Sequence, residues 1–230
     1  MRSSIFFLAG LVAMASAAPA TPAPYVVVQN NCNHDIIAGQ SENGHLSGDS
    51  LKVTAGGSHT FRFAPHWKGR VWAREVCDAG DDCDYAGIGA PASLAEFLFA
   101  DHKGDDYYDI SFVDGHNLPL KIDPIKPYGL ERHDSYHCGS PTCSSLPTCP
   151  EGFEVKKNGK VVGCMSACTK YGTDEHCCTG DLNSPNVCKP TALSKAVKSG
   201  CPDAYSYAYD DATSTFMCQS EGYKVTFCPN

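Results

Sequence analysis

The chain has 230 residues, with 26 acidic against 18 basic side chains and a formal net charge of −8. A surface this acidic repels phosphate backbones and anionic lipid headgroups, and no basic cluster provides a local exception, so nucleic acid is not expected as a partner. A neutral ligand such as a polysaccharide meets no such objection, and a chain of this length buries enough surface for a real core in one or two compact units.

The N-terminus reads as an export signal over residues 1–17: Arg2, an apolar run from Ile5 to Met14, then the small residues Ala15-Ser16-Ala17. Its removal takes Arg2 away and moves the net charge to −9. The run falls short of the roughly 20 residues that cross a bilayer, and no later segment is apolar for long enough. Residues 18–230 are therefore expected to be a secreted protein, extracellular or in a cell wall, with no transmembrane span. In an oxidising compartment the 14 cysteines read as disulfides, not thiols. Zinc is the competing reading of Cys164, Cys168, Cys177 and Cys178, but no pair among them has the two-residue spacing of a zinc knuckle. No metal and no cofactor are expected.

Strands are predicted in chain order at Tyr25 to Gln29, Leu51 to Thr54, His59 to Phe63, Arg70 to Arg74, Leu94 to Phe99 and Tyr107 to Val113. Turn clusters such as Ala55-Gly56-Gly57 and Asp114-Gly115 separate them, which argues for an antiparallel sandwich or barrel. From Cys138 to Cys201 the cysteines crowd together among Ser, Pro, Gly and Thr, so this stretch reads as a disulfide-stapled lobe. Within it Thr191 to Lys198 is predicted as a short helix, with Leu193, Ala196 and Val197 on one face and Gly200 at its end. Alternation returns from Tyr223 to Cys228, which predicts a last strand.

Three segments resemble the thaumatin-like proteins, the family that includes the plant pathogenesis-related group 5 proteins and secreted fungal relatives. The first is Leu94-Ala95-Glu96-Phe97 with Tyr108-Asp109-Ile110-Ser111-Phe112-Val113-Asp114-Gly115 and Asn117-Leu118-Pro119. The second is Cys177-Cys178 with its flanking cysteines. The third is Cys201-Pro202-Asp203-Ala204-Tyr205-Ser206-Tyr207, followed by Asp210-Asp211-Ala212-Thr213-Ser214 and the terminal Val225-Thr226-Phe227-Cys228-Pro229. The resemblance implies one mainly β, thaumatin-like domain over 18–230. Its sandwich core would take 25–74, 94–143 and 202–230, and its disulfide-rich lobe with short helices 144–201. A small loop lobe at 75–93 is shorter than the family's usual one.

The resemblance also implies the pairings Cys32 with Cys228, Cys77 with Cys83, Cys138 with Cys218, Cys143 with Cys201, Cys149 with Cys164, Cys168 with Cys177, and Cys178 with Cys188. Spacing alone selects none of them. His116 stands where the family commonly has Phe, and the histidines read as surface or structural residues.

The family's cleft carries one arginine and four carboxylates, which fall here on Arg70, Glu96, Asp109, Asp114 and Asp203. Residue by residue the support is uneven. Glu96 lies in an apolar strand on the face opposite Ala95 and Phe97, and Asp109 is placed in the same way between Tyr108 and Ile110. Asp114 begins an Asp-Gly turn, where a short acid ordinarily bonds its own backbone, and Asp203 after a proline has the same plain reading as a cap. Arg70 among four acids reads as their orienting partner.

Glycoside hydrolysis needs one protonated and one ionised carboxyl flanking the sugar bond. Glu96 is the candidate acid and Asp114 its partner, with Arg70, Asp109 and Asp203 binding the ligand. The resemblance thus implies a monomer that binds β-1,3-glucan of fungal cell walls, with antifungal and weak endo-β-1,3-glucanase activity as the further expectation. Two alternatives stand beside it: a non-catalytic defence or wall-remodelling protein that perturbs fungal envelopes, and an inhibitor of secreted hydrolases.

Overall fold

The computed structural model describes residues 23–43, 45, 49–76, 91–100, 104–129 and 134–230. The predicted signal at 1–17, the Cys77 to Cys83 bridge and most of the 75–93 loop lobe lie outside the described residues.

The strands form two layers. One holds β1 (Tyr25–Asn30), β4 (Ser58–Arg62), β9 (Leu120–Tyr128) and β10 (Thr142–Cys143). The other holds β2 (Ile36–Glu42), β3 (Ser50–Val53), β5 (Lys68–Glu75), β6 (Leu94–Leu98), β7 (Asp106–Ser111) and β13 (Ala204–Tyr205). The 12-residue strand β14 (Phe216–Phe227) belongs to both. Its first residues, Phe216 to Cys218, pair with β7, the rest pairs with β9, and Tyr223 to Phe227 also pairs with β1.

Alternation supplies the core between the layers. Val26 and Val28 of β1, Tyr223, Val225 and Phe227 of β14, Ala95 and Phe97 of β6, and Tyr108 and Ile110 of β7 are all buried in one cluster. The mainly β architecture agrees with expectation. Two pairings, β1 with β14 and β13 with β7, are parallel where only antiparallel ones were expected. Alternation reports which face a side chain takes and not the direction of the neighbouring strand.

Asn30 shows how the layers are tied. It is fully buried, and every partner its amide needs comes from backbone: Nδ2 donates to the carbonyls of His34 at 2.9 Å and Val53 at 3.0 Å, while Oδ1 accepts from the Cys32 amide at 2.9 Å. A buried amide with three partners fixes the turn out of β1.

The disulfide lobe carries α1 (Ala167–Tyr171), α2 (Asp174–Cys177), α3 (Ala192–Gly200) and a small sheet in which β11 (Glu154–Lys157) and β12 (Lys160–Met165) join β8 (Gly115–His116). The predicted helix matches α3. Thr191 is its N-cap, accepting from the Ser194 amide while Ser194 Oγ accepts from the Thr191 amide.

Six of the implied disulfides are formed: Cys32–Cys228, Cys138–Cys218, Cys143–Cys201, Cys149–Cys164, Cys168–Cys177 and Cys178–Cys188. The first joins residues 196 apart in sequence, closing a loop worth about 5 kcal/mol in the chain-entropy account.

Candidate functional site

Three neighbouring strands place charged residues in one row. In the β5–β6 ladder Arg70 stands opposite Glu96, and in the β6–β7 ladder Glu96 stands opposite Asp109. The flanking residues Val71, Ala95, Phe97, Tyr108 and Ile110 are buried in the core, so the period of two turns the charged row to the other face. That face floors an open cleft of about 380 Å³, lined by the row, by Leu94, Ser111, Val113 and Asp114, and by Tyr205, Ala208 and Asp211.

Asp114 reaches the cleft from the turn after β7. Gly115 holds φ at +126°, and a Cβ there would lie 2.2 Å from the Cys164 carbonyl oxygen. Only glycine lets β8 lie this close to β12, and the turn it permits presents Asp114 to Arg70. The Thr169 hydroxyl, from α1, donates to the Asp114 carbonyl at 2.8 Å and fixes the turn from the lobe side.

Arg70 lies between two carboxylates. Its Nη1 donates to Asp114 Oδ2 at 3.1 Å, and its Nε is 3.8 Å from Glu96 Oε1. Burial raises Glu96 above the ordinary carboxylate range; Arg70 opposes the shift and Asp114 adds to it. Burial raises Asp109 well above that range, with the neighbouring Glu96 and Asp211 adding repulsion. Asp109 Oδ1 is buried and has no hydrogen-bond partner within the protein. The cleft thus holds one carboxyl pair that favours protons beside an ion-paired aspartate half open to solvent, a contrast that suits acid–base chemistry.

The structure brings Arg70, Glu96, Asp109 and Asp114 together and places Asp203 elsewhere. Asp203 Oδ2 accepts from the Thr142 amide at 3.0 Å, and the residue is not among those lining the cleft. The physical reason is the Cys143–Cys201 bridge, which holds the start of this segment against β10 and turns Asp203 to that edge. The fourth acid of the cleft is Asp211, whose Oδ1 accepts from the Tyr205 hydroxyl at 3.0 Å. Lys198 of α3 secures that segment through an ion pair with Asp210 at 3.2 Å and a bond to Ser214 Oγ at 2.6 Å. The sequence signal for Asp211 was present in Asp210-Asp211, but nothing in the pattern distinguishes a cleft acid from a cap.

His116 is structural. It is buried, lies 5.3 Å from the Phe112 ring, and burial pushes it down to about 4.

A β-sandwich stapled by disulfides, with an arginine-centred acidic cleft against a cysteine-rich lobe, defines the class. The thaumatin family matches residues 30–229, and the chain belongs to it. It is 38% identical over 249 aligned positions to "Thaumatin-like protein" of Arabidopsis thaliana, covering 99% of this chain and 97% of that protein. It is 37% identical to "Glucan endo-1,3-beta-glucosidase" of Prunus avium, covering 87% and 89% respectively. Among solved structures, a laminaripentaose-producing β-1,3-glucanase in complex with laminaritetraose aligns with a TM-score of 0.59 at 12% identity, covering 91% of this chain and 99% of that one, which shows a shared fold.

Proposed function

We propose that the protein is a secreted defence protein that binds β-1,3-glucan of fungal cell walls in the acidic cleft and hydrolyses it slowly as an endo-glucanase. One observation carries the reading: Arg70 sits between Glu96 and Asp114, so two carboxyls of unlike environment face one open cleft. Glu96, raised by burial, supplies the proton to the leaving oxygen, and Asp114 acts from the turn on the other side of Arg70. Asp109 and Asp211 take sugar hydroxyls. The family membership and the name of the Prunus avium relative support the choice of glucan. The six disulfides support export to an oxidising compartment.

Binding without turnover is the second reading, and a specific feature favours it. Asp114 is already engaged by Arg70, and its turn is pinned by Thr169, so it is held as a recognition element more firmly than a nucleophile needs. Incubation of the protein with a linear β-1,3-glucan oligomer, following both binding and chain length, separates the two. Binding with slow shortening supports the hydrolase, binding alone supports the lectin, and no binding overturns both.

A further inference from the structure

The charged row does not end the exposed face of the sheet. Two residues further along each strand, Leu98 of β6 stands opposite Tyr107 of β7 on the same face, about 7 Å from the Glu96–Asp109 pair by the rise of a strand. Leu98 is 46% exposed and Tyr107 44% exposed. They form the last pair of the β6–β7 ladder and lie outside the cleft lining.

The opposite flank of the row is floored by buried residues. There the corresponding residues Trp72, Leu94 and Ser111 are buried, and the Trp72 indole lies over Gly39, where a Cβ would come within 2.3 Å of the ring. Val113 and Asp114 follow at the turn after β7, while Tyr205 of β13 stands beside Ser111, and these residues wall the cleft on this flank. Among the described residues, an extended ligand seated on the charged row has an open direction along the strands, over Leu98 and Tyr107.

We propose that the Leu98–Tyr107 pair is a second contact platform of the cleft, on which the C–H face of a sugar ring lies against Tyr107 as the glucan chain leaves the charged row. This rests on the glucan reading above. Scattered exposed apolar residues are ordinary on a protein surface. What marks this pair is its register with the acidic row and its place at the row's open end. A tyrosine offers a flat apolar ring at low entropic cost with a hydroxyl for the rim, and a neighbouring leucine widens the apolar surface. A sugar ring presents the complementary chemistry, an apolar face bordered by hydroxyls.

The test compares binding of a β-1,3-linked disaccharide and a hexasaccharide to the wild type, Tyr107→Ala, Tyr107→Phe and Asp114→Ala by calorimetry. Tyr107 is exposed, so its truncation leaves the fold intact. Tyr107→Ala is expected to weaken the hexasaccharide about fivefold to tenfold, leave the disaccharide unchanged, and be rescued by Tyr107→Phe. Equal hexasaccharide affinity in wild type and Tyr107→Ala, with Asp114→Ala weakened, overturns the platform and leaves the cleft reading standing. Failure of the wild type to bind either oligomer overturns the cleft reading and the platform with it. A self-association that Tyr107→Ala abolishes would assign the pair to a second copy of this chain and overturn the proposal.

Discussion

Glu96 and Asp109 face each other directly across the β6–β7 ladder, two acids on one row of a sheet whose other face is the hydrophobic core. Like charges opposite one another destabilise a sheet unless one is neutralised. Here both are raised from their ordinary values of 4.5 and 3.8, Asp109 the further.

The sign of the resulting pH dependence is fixed. An acid raised in the folded state holds a proton that the unfolded chain releases, so its contribution is complete below the ordinary value and is lost as pH rises through the folded one. Asp109→Asn removes the larger of the two shifts while keeping the shape. Thermal melts of both proteins from about pH 4 to pH 8 are expected to coincide at the acid end and diverge upward, the variant having the flatter profile and the higher neutral Tm. A wild-type profile as flat as the variant's would show that the pair does not hold the proton.

Glu96→Gln is expected to abolish hydrolysis and leave glucan binding within a few-fold, because the amide keeps size and hydrogen bonds but cannot donate the proton. Oligomer chain length after prolonged incubation measures the first, and calorimetry the second. Undiminished shortening by the variant would assign the cutting to other residues.

Asn30→Ala strands the buried Val53 carbonyl, the partly buried His34 carbonyl and the Cys32 amide. The expected loss is about 3 kcal/mol, read from denaturant unfolding. Asn30→Asp should be nearly as damaging, since a carboxylate accepts from Cys32 but cannot donate to the two carbonyls.

The double variant Cys32→Ser with Cys228→Ser is expected to lose about 5 kcal/mol, more than removal of any shorter bridge. The comparison is Cys168→Ser with Cys177→Ser, whose bridge spans a sequence separation of 9. Equal losses would show that the long loop is already constrained in the unfolded chain.

The strands that carry the site were legible because their apolar and polar residues alternate without interruption: β6 was expected at Leu94 to Phe99 and runs Leu94–Leu98. Others were hidden by residues that strands ordinarily avoid. In β9, Pro124 and Pro127 interrupt the pattern, yet they stand opposite Tyr223 and Ser220 of β14. In β2, Gly39 breaks the alternation because the Trp72 indole occupies the space its side chain would take. Arg70, Glu96 and Asp109 were readable as cleft residues from strand register together with the family pattern. Asp203 and Asp211 were not separable, because which of them enters the cleft depends on the Cys143–Cys201 bridge and on the Lys198 contacts, both long-range.

β14 comes last among the described strands and is shared by both layers, flanked by β7 at one end, by β9 along the rest and by β1 from Tyr223 to Phe227. During synthesis the core between the layers cannot be completed before Phe216–Phe227 has left the ribosome, because β14 supplies Tyr223, Val225 and Phe227 to it. Cys218 and Cys228, which oxidise with Cys138 and Cys32, lie in and just after that strand. Covalent sealing of these two pairs therefore waits for β14, and a nascent protein truncated before Phe216 would be left for quality control with its core unfinished and with Cys32 and Cys138 lacking their mates.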